Sequence, residues 1–220
     1  EQATFSDKYR VFVTSGREPE REVQVLMSHA RYGGDYRASA LKGRTFSFVA
    51  VSYGGKAGPL HVRVLKTFGK ACRSAAICPR SYGIEGELAA GGMEVAFSVD
   101  APNRYISVNF VGPDNRHPEL GWIKHMFCVF VDPLETEVPE QGGPGVVVYS
   151  KDVDSDALKT AKAIYFPAGY HNLRDYGGRG IIDVDGQLRL QDNQALYLSG
   201  GAFVEGLVES AAKSCRGQRV

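Results

Sequence analysis

Hydrophobic and polar residues alternate in segment after segment through the first half of the chain, strictly so in His61-Val62-Arg63-Val64-Leu65. Tyr9-Arg10-Val11-Phe12-Val13 and Val23-Gln24-Val25-Leu26-Met27 open the pattern. Thr45–Tyr53, His61–Leu65, Met93–Val99 and Tyr105–Phe110 repeat it, and Lys124–Val131 closes it. A period of two puts alternate side chains on one face, so each segment reads as a half-buried strand. Turn signals separate them: Gly54-Gly55, Gly58-Pro59, Gly91-Gly92, Ala101-Pro102-Asn103 and Gly112-Pro113-Asp114-Asn115. Short strands with regular turn punctuation predict a β-sandwich over residues 1–134.

The pattern changes after residues 135–145, a polar stretch rich in Pro and Gly that reads as a linker. Val146–Tyr149 resumes an extended run, and Ser155–Lys162 predicts a short helix with Ser155 as its N-cap. Two Gly-punctuated apolar runs then stand about thirty residues apart: Ala163–His171, with its corner at Gly169, and Gln194–Gly206, with its corner at Gly200-Gly201. Each reads as strand, glycine corner, strand. That spacing points to a coiling solenoid over residues 146–220 rather than a meander. Tyr165, Leu196 and Leu198 are the expected inward residues. Solenoids need about three stacked units to bury a continuous core. The pattern is still beginning near Val220, so further coils, or a partner chain, are expected to cover the exposed ladder edge.

These runs, Ile164-Tyr165-Phe166-Pro167-Ala168-Gly169-Tyr170-His171 and Leu188 to Gly206, resemble the opening coils of a right-handed parallel β-helix. They are similar to polysaccharide hydrolases of the polygalacturonase type and the dextranase/isopullulanase type, glycoside hydrolase families 28 and 49. Many such enzymes carry an N-terminal β-sandwich, and the upstream strands fit that plan. The resemblance implies an all-β chain, the N-terminal portion of a secreted or periplasmic glycosidase acting on a pectin-like or α-glucan polysaccharide, with inversion and without a cofactor. The family's catalytic aspartates lie several coils downstream and have no counterpart before Val220, so no catalytic residue carries over. The stretch Asn172–Gly186 is also longer than the family's usual link. A non-catalytic glycan-binding or structural β module is the alternative. A polysaccharide lyase or epimerase on the same scaffold is a third reading.

Composition narrows the function classes. Among 220 residues, 43% are hydrophobic, enough for a substantial core. Twenty-six basic and 25 acidic side chains give a net charge of +1, with no basic stripe to attract nucleic acid or an anionic membrane. No apolar run approaches the ~18 residues of a membrane-spanning helix. The chain begins at Glu1, which fits removal of a signal peptide or trimming. Cys72 and Cys78 flank a short loop and could pair as a disulfide, whereas Cys128 reads as a buried apolar residue and Cys215 has no evident partner.

Paired carboxylates are the chemistry to seek, because an inverting glycosidase sets two of them about 6.5–9.5 Å apart. Asp183 and Asp185, two apart on an extended segment, would share a face at ~7 Å. The bland reading is a polar strand end before the Gly186 turn. Asp152-Val153-Asp154-Ser155-Asp156 opens like an EF-hand, but Ala157 and Ala163 stand where Gly and Glu are required. Gly177-Gly178-Arg179-Gly180 lacks the Lys-Ser/Thr of a phosphate loop and reads as a loop tip. Tyr176 and Arg179 are the expected sugar contacts there, an aromatic face for a pyranose ring and a fork of donors for its hydroxyls. His29, His61, His117, His125 and His171 are scattered, and none has metal-ligand spacing.

Overall fold

In the computed structural model, residues 4–29, 44–116 and 121–220 are described. Two compact units divide the chain, one reaching to Glu135 and the other running from Thr136 to Val220.

The first unit contains, in chain order, β1 (Thr4–Phe5), β2 (Tyr9–Ser15), β3 (Arg21–Val23), β4 (Leu26–His29), β5 (Thr45–Ser52) and β6 (Leu60–Lys66). β7 (Ser74–Cys78), β8 (Glu87–Leu88), β9 (Glu94–Val99), β10 (Arg104–Val111) and β11 (His125–Asp132) complete it. They form two sheets, β1-β4-β5-β11-β10-β7 and β3-β2-β6-β9-β8. All pairings are antiparallel except β5 with β11, which run parallel. The alternation read from sequence is the alternation of burial. Val11 and Val13, Val62 and Val64, Val95, Phe97 and Val99 turn inward from one sheet. Val49 and Val51, Ile106, Val108 and Phe110, Phe127, Val129 and Val131 meet them from the other.

The run Val23–Met27 does not form one strand. It divides between β3 and β4, which lie in different sheets, and Val25 at the crossing accepts the Ser6 N–H at 2.9 Å. Buried polar groups tie the layers together. Tyr9 donates its hydroxyl to the His125 carbonyl at 2.7 Å. Asn115 donates to Phe110 O at 3.2 Å and accepts the His125 N–H at 2.8 Å, joining the end of β10 to the start of β11. Lys66 is 1% exposed. Its ammonium donates to the carbonyls of Phe68 and Lys70 and lies 4.4 Å from the Phe68 ring centroid, so a cation organises that loop from inside.

The second unit contains β12 (Val146–Val148), α1 (Ser155–Thr160), β13 (Ala163–Phe166), β14 (Gly169–Asn172), β15 (Gln187–Leu190), β16 (Ala195–Leu198), β17 (Ala202–Glu205) and β18 (Leu207–Ser210). Its three sheets, β12-β13-β16, β14-β17 and β15-β18, are parallel throughout. Strands β13, β14 and β15 make one coil and β16, β17 and β18 stack on it in register, as Ile164↔Leu196, Tyr170↔Phe203 and Leu188↔Val208 show. The chain is therefore all-β in plan: a β-sandwich followed by β-helix coils. Residues 136–145 fold with this unit, since Gly145 O accepts the N–H groups of Lys162 and Ala163.

Asp154, not Ser155, caps α1, accepting the Ala157 N–H at 3.0 Å. Gln194, 1% exposed, satisfies the other end by donating to Leu158 O at 2.8 Å and Ala161 O at 2.9 Å. Ile164, Phe166 and Leu196 point into the coil. Tyr165 does not: it is half-buried on the outer face and packs on Tyr197, its ladder partner, at 5.2 Å between centroids. Leu198, expected inside, is 41% exposed. Beyond β18, Arg219 lies parallel to Ala195 and its carbonyl accepts the Leu196 N–H at 2.8 Å, adding to the β16 edge.

Candidate functional site

The two coils differ at one corner. Gly206 alone joins β17 to β18, whereas residues 173–186 separate β14 from β15. That insertion begins with a 3₁₀ turn, Leu173–Tyr176, whose Asn172 cap accepts the Arg174 N–H at 3.0 Å. It is not a solvent loop. Leu173, Tyr176, Ile181 and Ile182 turn back into the coil's core at 7% exposure or less.

This packing corrects the expectation for Tyr176 and Arg179. Tyr176 is 1% exposed and donates its hydroxyl to Val153 O at 2.8 Å, so its ring face is not free to stack on a sugar. Arg179 lies over that ring at 4.1 Å from Cζ to the centroid. It donates Nε to Tyr176 O at 2.9 Å and Nη2 to Lys151 O at 2.6 Å. Both side chains hold the insertion in place.

The carboxylates are similarly engaged. Asp183 and Asp185 do not share a strand face. Asp183 heads a turn, accepting the N–H groups of Asp185 and Gln187 at 3.0 Å each through Oδ1. Its Oδ2 takes Arg189 Nη2 at 3.1 Å, and Arg189 Nε donates to Glu209 at 2.9 Å across the β15–β18 ladder. On the β14–β17 surface, Tyr170 donates its hydroxyl to Glu205, which raises the Tyr170 phenol above its ordinary range. Arg174 approaches the other Glu205 oxygen at 3.5 Å. Asp183, Glu205 and Glu209 are thus bound to arginines, not set across an open gap as an inverting pair would be. No group of three or more His, Cys, Asp or Glu side chains converges on a metal position among the described residues.

Behind that surface lies an aromatic stack. Tyr149 lies on Phe166 at 4.4 Å and meets the edge of His171 at 5.6 Å. His171 donates Nε2–H to Pro167 O at 2.8 Å, which fixes its tautomer. The Tyr149 hydroxyl is buried without a hydrogen-bond partner, and burial pushes its pKa up to about 12.

The cysteines are free thiols. Cys72 is a core residue packed beneath Gly112, and Cys78 pairs with Ser107 in the β7–β10 ladder; the possible disulfide between them is not formed. Cys128 alternates with Met126 and Phe130 on the outer face of β11 and is half-buried rather than in the core. Trp122 is half-buried beneath the Arg44 guanidinium at 4.7 Å. His117 lies outside the described residues.

Sequence reading missed the outward aromatic pair Tyr165–Tyr197. The signal was present: Ala163-Ile164-Tyr165-Phe166 and Ala195-Leu196-Tyr197-Leu198 align residue for residue.

Together, the antiparallel-rich sandwich and the stacked parallel coils define a β-sandwich followed by a parallel β-helix. Among solved structures the chain is similar to Dex49A from Penicillium minioluteum, with a TM-score of 0.66 and 20% sequence identity. The match covers 93% of this chain and 43% of that one, so the chain spans less than half of that structure's length. No protein-family model matches, and no curated protein matches by sequence.

Proposed function

We propose that the chain is the N-terminal part of a glycoside hydrolase that cleaves a polysaccharide with inversion, its catalytic aspartates lying in coils beyond Val220. The observation that supports this reading is the shared fold over 93% of the chain with Dex49A, joined to the resemblance of the coil runs 164–171 and 188–206 to the dextranase/isopullulanase type. That fold runs through the sandwich and both coils. The parallel bridge at Arg219 extends the β16 edge in the direction in which further coils would stack. Such coils, or a partner chain, would cover the open ladder edges of β16, β17 and β18. The substrate class is an α-glucan or a pectin-like chain, met outside the cell or in a periplasm, and no cofactor is needed.

The test is to extend the chain through its full reading frame and assay it on dextran, pullulan and polygalacturonate. The anomeric configuration of the first product is read by proton NMR. Inverted reducing ends from one of these substrates support the proposal. Unsaturated products would place the protein among the lyases. Absence of turnover by a full-length chain that carries no aspartate-bearing coils would sink it. The engagement of Asp183, Glu205 and Glu209 with arginines would then favour a glycan-binding module.

A further inference from the structure

The five-stranded sheet of the sandwich carries an open cleft of about 580 Å³ on its outer face. Sites of about 300–1,000 Å³ are the usual size for small ligands. His61 and Arg63 of β6 and Ala96 and Ser98 of β9 form the floor, and the segment from Tyr82 to Glu87 forms one wall. The wall stands apart from the sheet for a structural reason. β8 pairs only with Val95 and Ala96, so no strand continues beside β9 past that point. The Glu94 carbonyl faces β8, where it accepts the Ala89 N–H at 2.9 Å. By antiparallel alternation the peptide groups of Ser98 face the same side, into the cleft. The Ser98 hydroxyl is paired with His61 Nδ1 at 2.8 Å. Strand-edge peptide groups, a hydroxyl and an imidazole thus converge in one trough.

Charge decides which ligand this trough accepts. Arg63 is spent, held by Glu20 at 2.6 Å and Glu94 at 2.8 Å and laid over the Phe12 ring at 4.2 Å. Glu85, Glu87 and Asp100 line the cleft and form no ion pair among the described residues. Their carboxylates repel polyuronates and nucleic acids at short range, while they accept hydrogen bonds from sugar hydroxyls. Arg104 lies over the Tyr82 ring at 4.8 Å and holds that aromatic at the wall.

We infer that this cleft is a binding site for a short segment of a neutral polysaccharide. It anchors the glycan on the sandwich. The choice of a glycan as ligand rests on the reading of the chain as part of a polysaccharide-acting protein. The choice of a neutral one rests on the lining.

Affinity gel electrophoresis of the 220-residue chain in gels containing dextran, pullulan or polygalacturonate tests this. Ser98→Leu fills the cleft, Glu85→Lys/Glu87→Lys reverses its charge, and circular dichroism melts confirm that each variant folds. The expected result is retardation by a neutral α-glucan and none by polygalacturonate. Retardation should weaken tenfold or more in Ser98→Leu, and polygalacturonate should retard the charge-reversed variant. The inference is overturned if no neutral glucan retards the wild-type chain, if folded Ser98→Leu is retarded as strongly, or if polygalacturonate retards the wild type equally. Failure here leaves hydrolysis by the extended protein untouched. Hydrolysis can fail while the cleft still binds.

Discussion

Single side chains in the second unit show how fully its polar groups are used, and where they are not. Gln194 meets two carbonyls and one N–H with its single amide, accepting the Gln191 N–H at 3.1 Å through Oε1. Tyr149 is the contrast: its ring is packed on three aromatic neighbours and its hydroxyl makes no hydrogen bond. A buried hydroxyl without a partner carries a desolvation cost of about 1–3 kcal/mol. Tyr149→Phe keeps the ring and removes the cost. The variant is expected to be about 1 kcal/mol more stable in urea titrations followed by far-ultraviolet circular dichroism. A loss of stability would mean that the hydroxyl is satisfied in solution.

At the scale of elements, what the sequence displayed depended on whether local pattern or tertiary packing decided the outcome. The sandwich strands were legible because period-two alternation and burial are the same fact seen twice, as in Val62 and Val64. The coil strands were legible from their glycine corners. The face of Tyr165 was not, because a four-residue apolar run carries no period that separates in from out. Nor was the burial of Tyr176, whose glycine-rich neighbours imitate a loop tip while Leu173, Ile181 and Ile182 draw the segment inward. Asp183 looked like one of a catalytic pair because the turn it caps is set by the return of the chain to β15.

The tight corner at Gly206 makes a prediction at this scale. Its φ of 156° suits glycine, and a Cβ there would lie 2.6 Å from both Gly186 O and Leu173 Cδ1. Gly206→Ala is expected to cost about 3 kcal/mol, combining backbone strain with displacement of a core side chain. The loss should appear in the chemical denaturation midpoint. A fall below about 0.5 kcal/mol would show that the corner relaxes freely.

The whole molecule offers a way to follow one unit against the other, because its only tryptophan, Trp122, belongs to the sandwich. Fluorescence therefore reports the unit that also holds His125. That imidazole is 8% exposed, meets the edge of the Phe68 ring at 4.6 Å and bonds Thr45 Oγ1 through Nδ1 at 3.0 Å. Burial first, then the nearby ammonium groups of Lys124, Lys8 and Lys66, opposed by Asp7, lower its pKa from 6.5 to about 4. The unfolded chain then binds the proton more readily than the folded one between those values. Stability from this group is complete above about pH 6.5, declines as the pH falls, and is gone below about pH 4. The fluorescence-detected urea midpoint is expected to fall between pH 7 and pH 5, before most carboxylates titrate. His125→Gln, which cannot take up the proton, should show a smaller fall over the same interval. An equal fall in both proteins would mean that His125 titrates normally in the folded sandwich, and its burial would have to be reconsidered.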